Sequence, residues 1–322
     1  MMKKYRNLVS LIDGTWNTAF SGTNVYQIEQ AMARDTWYRI KGEEGVFCTT
    51  SNYEKGPGTS PTTKLTSGAF AANLSEAIGH SYDWLSTKLR DLAADETAQI
   101  YLFGFSRGAY SVHVLSWLLQ EYGIPRDPDC AKEIAKAYAK KNKKKLRKLR
   151  NDEEFMPSPR IKMMGLWDAV TAPLDIRRNY HNGIKSPLVD KIYHAMAANE
   201  ERMFFPVMQY RDANSQDIDQ KWFSGVHGDI GGMYDDDRRL TEYAMNWMQC
   251  CARQEGIGFE KKPQEADRYD FTDMKVHHPE MIDIANRVYH TGETLHKSLV
   301  ARVKAIDDYE PDVWRIPPEL LG

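Results

Sequence analysis

Short apolar runs alternate with longer stretches of helical spacing along most of this chain. Leu8-Val-Ser-Leu-Ile12 is a buried strand ended by Asp13-Gly14. Gly45 to Thr50, Ile100 to Phe103, Arg160 to Trp167, Pro206 to Arg211 and Ile218 to Phe223 read as further strands. Between them, Asn24 to Arg34 and Ala109 to Glu121 read as helices. Leu74 to Leu92 carries Leu74, Ile78, Leu85 and Leu89 on one face. Arg239 to Gln254 does the same with Leu240, Tyr243, Ala244, Trp247, Met248 and Cys251. Asp190 to Glu201 also reads as helical, as does Thr291 to Val303. Tyr53 to Pro61 is a Gly/Pro loop, and the chain beyond Gly256 is polar and irregular. This alternation predicts an α/β fold with a central, mostly parallel sheet flanked by helices.

One junction of strand and helix carries chemistry. Tyr101-Leu-Phe-Gly-Phe-Ser-Arg-Gly-Ala-Tyr110 runs from an apolar strand through Gly104-Phe-Ser106-Arg-Gly108 into a helix. That is the context of a nucleophile elbow, with Ser106 held at the carboxyl end of a strand. The helix that starts there aims free N–H groups and a positive dipole end at the site. A serine hydroxyl is a weak nucleophile alone, so the motif requires a base and a group to orient it.

Composition narrows the picture. The 322 residues, 42% hydrophobic and 27% charged, suffice for one large domain over 1–322. A net charge of −2 provides no global basic field for nucleic acid. Cys48, Cys130, Cys250 and Cys251 contain no CxxC and read as free thiols. The apolar run Leu8 to Ile12 is too short for a signal-peptide core, and no segment reaches membrane-spanning length. The expectation is synthesis in the cytosol, with any export by a signal-peptide-independent route. The composition shifts over 127–159, where Ala131 to Arg150 is helix-forming and becomes strongly basic from Lys140. It reads as a helical insertion or cap. Its charge is either a solvated helix face or a patch for peripheral contact with anionic membrane.

Two more residues stand where Ser106 stands, just after an apolar strand: Asp168 and His227. The order Ser, Asp, His is the α/β-hydrolase order. In that logic His227 takes the Ser106 proton and Asp168 fixes the imidazole tautomer. Asp229 and Asp13 are rivals for the orienting role. The N–H groups of Gly14, Thr15 and Arg107 are candidates for an oxyanion hole. The chemistry requires no metal or other cofactor, although the Asp235-Asp-Asp237 cluster could hold calcium.

Four segments together carry a family resemblance: Ile12 to Asn17, Gly104 to Tyr110, Gly165 to Val170 and Trp222 to Tyr234. They resemble the DUF2235 family, which includes phospholipase effectors of bacterial type VI secretion. Weaker segments fit too, from Asn199 to Pro206 and from Leu295 to Leu299. The resemblance implies an α/β-hydrolase core in which Ser106, Asp168 and His227 act on glycerophospholipid esters. It also implies secretion-apparatus and immunity proteins as partners. The chain is shorter than the larger effectors, and its basic stretch is its own. A catalytically silent binding protein on the same fold, or a hydrolase of another acyl bond, is the alternative.

Overall fold

In the computed structural model, residues 2–15, 17–56, 67–127, 129–171, 181–211, 216–265, 271, 274–277, 285–307 and 309–321 are described. Trp16 of the first motif and residues 57–61 of the Gly/Pro loop lie outside them.

Eight strands form one sheet. They are β1 (Lys4–Ile12), β2 (Trp37–Tyr38), β3 (Val46–Glu54), β4 (Glu96–Phe105), β5 (Ile161–Trp167), β6 (Val189–Ala197), β7 (Ile218–Phe223) and β8 (Thr294–Leu295). Across the sheet the order is β8-β7-β6-β5-β4-β1-β3-β2. Every pairing is parallel except that of β2 with β3. The chain therefore moves outward from β1 to β3, then returns to lay β4 on the other side of β1. That reversal opens a crevice between the carboxyl ends of β1 and β4, where open α/β sheets bind ligands.

Both faces of the sheet are covered, so its middle strands are apolar on both sides. Along β4, Ile100 and Leu102 face one layer with Ile78, Leu85, Val114 and Leu118. These come from α2 (Ser67–Arg90) and α3 (Arg107–Tyr122). Tyr101, Phe103 and Phe105 face the opposite layer, with Val25, Ile28, Trp247 and Met248. Those come from α1 (Asn24–Ala31) and from a later helix, Arg239–Gln254. A period of two with both phases apolar is what a buried parallel strand requires.

Within residues 129–159 the chain forms two helices, α4 (Cys130–Ala139) and α5 (Lys143–Asp152). The break falls at Lys141, whose φ is 49°, and Asn142 caps the second helix by accepting the Lys145 N–H at 3.1 Å. Ala131, Ile134 and Ala135 join the α2 and α3 layer, and the basic side chains of α5 point outward around one buried residue, Leu146.

Three expectations are corrected. Asp190 to Glu201 is not a helix: Val189–Ala197 is strand β6, between β5 and β7. Its alanines and methionine favour a helix locally, but pairing on both edges and burial on both faces override propensity. Pro206 to Arg211 is not a sheet strand. The Gln220 side chain instead satisfies both the N–H and the C=O of Tyr210, at 2.8 and 3.1 Å. Thr291 to Val303 is helical only from Lys297, because Thr294 and Leu295 pair with β7.

Candidate active site

Ser106 follows β4 and caps α3 with φ 57° and ψ −125°, a conformation that costs energy for a residue with a side chain. Packing enforces it. A Cβ on Gly104 would lie 2.6 Å from the Ala109 nitrogen, so strand and helix meet too closely for any side chain there. A Cβ on Gly108 would lie 2.1 Å from the Ile12 carbonyl and 2.3 Å from that of Asp13. The first turn of α3 thus rests on the loop after β1, and the two glycines of the motif are steric necessities. Backbone bonds hold the turn: Ser106 N–H donates to the Trp167 carbonyl at 3.0 Å, and Val170 N–H to the Ser106 carbonyl at 3.2 Å.

His227 opens a one-turn helix, α6 (His227–Gly231), which begins after a short turn at the end of β7. Its Nε2 lies 2.8 Å from Ser106 Oγ, and its Nδ1 lies 2.6 Å from Asp168 Oδ2. An ionised carboxylate can only accept, so Nδ1 carries the ring proton and Nε2 is left to accept from the serine hydroxyl. All three residues are buried. Phe105 and Phe205 pack on the imidazole, with ring centroids at 4.6 and 4.9 Å. Burial pushes the His227 pKa down, against the pull of Asp168, which favours the neutral base form.

Asp168 sits at the end of β5 with φ 41° and is fully buried. Burial alone would raise its carboxyl. The Arg287 guanidinium and the bond from His227 outweigh that and hold it well below the usual carboxylate range. Arg287 grips it in a fork, Nη1 to Oδ1 at 2.6 Å and Nη2 to Oδ2 at 2.8 Å. Ala197 N–H donates to Oδ1 at 2.9 Å. With His227, four donors fill the four acceptor positions of the carboxylate.

The rivals for the orienting role are engaged elsewhere. Asp229 accepts from His277 Nδ1 at 2.5 Å and from Val226 N–H at 2.9 Å. Asp13 accepts from the Thr23 hydroxyl at 2.5 Å, the Tyr53 hydroxyl at 2.6 Å and Gly14 N–H at 2.6 Å, which ties down the loop after β1. The Gly14 N–H is therefore already donated. Thr15 follows it, with its Oγ1 buried and unbonded among the described residues. Arg107 provides the first N–H of α3, which has no acceptor within the helix. At the calcium candidate, each carboxylate faces a basic side chain: Asp235 meets Arg238, Asp236 meets Lys275 and His277, and Asp237 meets Arg239.

Sequence reasoning missed the outer residues. Arg287 gave no local signal. Glu200, buried, accepts the His227 backbone N–H at 3.2 Å and binds Arg202 through both carboxylate oxygens at 2.8 and 2.7 Å. Arg202 in turn covers Phe205 at 3.8 Å. The Asn199 to Pro206 segment is one of the weaker parts of the family resemblance, and nothing in its sequence points to these contacts.

A doubly wound sheet, a strained serine turn after its central strand, and aspartate and histidine after later strands define the α/β-hydrolase class. Within that class, the chain belongs to the family described as the catalytic domain of Tle1-like phospholipase effectors of type VI secretion, which matches residues 6–250. No curated protein is similar to it. Solved structures are, among them the following two. One is the Tle1 effector bound to the VgrG spike from the type VI secretion system, 17% identical over 73% of this chain and 52% of that one, with a TM-score of 0.46. The other is an uncharacterized protein from Pseudomonas aeruginosa, 15% identical over 80% and 47%, with a TM-score of 0.48. The chain spans about half the length of each. Among the described residues no helix is long and apolar enough to cross a membrane.

Proposed function

We propose that this chain is a serine hydrolase of carboxylic esters whose substrates are the acyl esters of phospholipids. The observation that carries the reading is the relay at Ser106, with Oγ 2.8 Å from His227 Nε2 and Nδ1 2.6 Å from Asp168. In this reading Ser106 Oγ attacks the ester carbonyl while Nε2 takes its proton. Asp168 holds the ring and balances the imidazolium charge. The tetrahedral oxyanion meets the N–H groups of Arg107 and Thr15. Gly14, whose N–H is committed to Asp13, shapes the loop that delivers the Thr15 N–H, while the Arg107 N–H comes from the first turn of α3. His227 returns the proton to the leaving alcohol, which departs as a lysophospholipid. Water, activated by the same imidazole, then releases the fatty acid from the acyl-serine. The substrate class rests on family membership, as does the secretion apparatus as partner.

The test pairs a fluorophosphonate probe with lipid mass spectrometry. Wild type is expected to label at Ser106 and to turn phosphatidylglycerol and phosphatidylethanolamine into lysolipid and free fatty acid, and Ser106→Ala to do neither. A folded Ser106→Ala protein that still releases fatty acid overturns the proposal. Labelling at Ser106 with no lipid product, but with turnover of a thioester or peptide, moves the substrate to another acyl bond.

A further inference from the structure

The carboxylate of Asp168 has more positive charge around it than the relay needs. The imidazole Nδ1–H and one backbone N–H would orient it; the structure adds a buried guanidinium. Arg287 makes four bonds: two to Asp168, one to the Ala197 carbonyl at 2.9 Å and one to the Phe205 carbonyl at 3.0 Å. It thus ties the end of β6 and the Phe205 segment, whose ring packs on His227, to the orienting acid. Its own position is set by a short parallel ladder, Arg287–Val288 with Val313–Trp314. Asp312 N–H to the Ala198 carbonyl at 2.9 Å and Ala285 N–H to the Glu201 carbonyl at 2.7 Å fasten that ladder to the segment after β6.

We infer that Arg287 is a positioning residue of this site: its fork keeps Asp168 ionised and aimed at His227, and its charge sets the lower pH limit at which His227 serves as base. The inference rests on the relay proposed above. A buried carboxylate without a partner takes up a proton, and a protonated Asp168 would hold the imidazole poorly. The fork also fixes rotation, since Oδ1 and Oδ2 each receive one arm. At the same time a guanidinium behind Asp168 disfavours a second proton on His227. Other charged groups near the pair are few. Glu200 faces the His227 backbone and is neutralised by Arg202, which packs over the Phe205 ring. His194 on β6 accepts the Ala169 N–H at 3.0 Å, and burial lowers its pKa to about 4, so it brings no charge at neutral pH. Arg287 is then the one cation in direct contact with the orienting acid among the described residues. It lies beyond residue 250, where the family match ends. The catalytic unit of this chain accordingly includes the region around 285–314.

The sign follows from charge. Removing the guanidinium makes protonation easier at both His227 and Asp168, and either event removes the base. The acid limb of the pH profile of kcat/KM must move to higher pH. The experiment uses the full chain with p-nitrophenyl butyrate, in wild type, Arg287→Lys, Arg287→Met and Ser106→Ala, with thermal melts to establish folding. Arg287→Met is expected to lose about 10²-fold in kcat at neutral pH with little change in KM. Its acid limb is expected to rise by about one pH unit. Arg287→Lys, which keeps a charge but not the fork, should fall between it and wild type in both respects. If Arg287→Met does not fold, the Arg287→Lys limb against wild type decides. Coincident acid limbs in the folded variants overturn the inference, even where kcat has dropped, because a merely structural role lowers activity without moving the limb. If Ser106→Ala hydrolyses the ester like wild type, the relay itself has failed and the role of Arg287 falls with it. An inactive Ser106→Ala beside unmoved limbs overturns only the role of Arg287.

Discussion

Two histidines of this chain lean on buried aspartates with the same ring nitrogen. His227 Nδ1 lies 2.6 Å from Asp168, and His277 Nδ1 lies 2.5 Å from Asp229. What differs is everything beyond the pair. The far nitrogen of His227 meets the Ser106 hydroxyl, which has a proton to give. The far nitrogen of His277 meets Asp236 at 2.8 Å, a second acceptor, and its ring face is covered by Tyr234 at 3.9 Å. The acids differ as well. Burial pushes both carboxyls up, but at Asp168 the Arg287 fork reverses the shift, whereas at Asp229 burial prevails over the bonds from Val226 and His277. An aspartate–histidine contact is therefore not a relay in itself. In the function proposed above it becomes one when the far nitrogen faces an alcohol and the acid is held charged. His277 instead ties the segment that carries it to α6, the short helix that presents His227.

The contrast can be broken most severely at the hydroxyl. Ser106→Ala is expected to lower kcat by about 10⁶-fold, the scale on which such a relay fails as a unit, with melting unchanged. Turnover near wild type would erase the distinction between the two histidines. Next come the two acids. Asp168→Asn should cost about 10⁴-fold in kcat, because the amide favours the wrong imidazole tautomer. Asp229→Asn should stay within about tenfold, since it touches the site only through α6. The reverse ranking would assign the orienting role to Asp229. The third difference is in stability. His277→Gln should destabilise the fold by about 1–3 kcal/mol, the cost of stranding a buried partner, while turnover per folded molecule changes far less. A urea melt read beside an active-site titration separates the two.

Stability against pH sharpens the same point. Burial lowers His194 and His296 to about 4, and it lowers His227 as well. The unfolded chain takes up these protons near the ordinary histidine value of about 6.5, so it binds more protons than the fold does from there down to about 4. Stability should fall through that window as the solution is acidified, and a melting temperature flat from neutral pH to about pH 4 would contradict it. The smallest expected effect belongs to the basic helix. Lys143, Arg147 and Arg150 line a groove with Tyr122, at the end of α3 opposite Ser106. Sixteen residues of helix put about 24 Å between the two ends. Charge reversal at Lys143, Lys144, Arg147 and Arg150 should leave hydrolysis of a soluble ester within about twofold, since screening removes most of the interaction over that distance. A large loss would place α5 in the reaction.

Much of the site was legible because its pieces are local. A strand, a turn between two glycines and a helix are specified within Ile100 to Glu121, and the crowding at Gly104 and Gly108 explains why no other residue serves there. Asp168 and His227 could be picked out because each follows an apolar strand, and parallel strands deliver their carboxyl ends to one edge. The helix over Arg239–Gln254 declared itself through its apolar stripe. Position along a strand could not reveal partnership across the fold. Arg287 meets Asp168 across 119 residues, from a two-residue strand in a stretch with no periodicity. Asp229 resembled Asp168 in sequence, and only the approach of His277, 48 residues on, separated their environments. Strand β6 reads as a helix until neighbours on both edges take its backbone hydrogen bonds. Local propensity and turn chemistry act within a few residues and are written in the chain. Counter-charges, competing acceptors and sheet pairing are decided by which distant segments meet, and that is a property of the folded molecule alone.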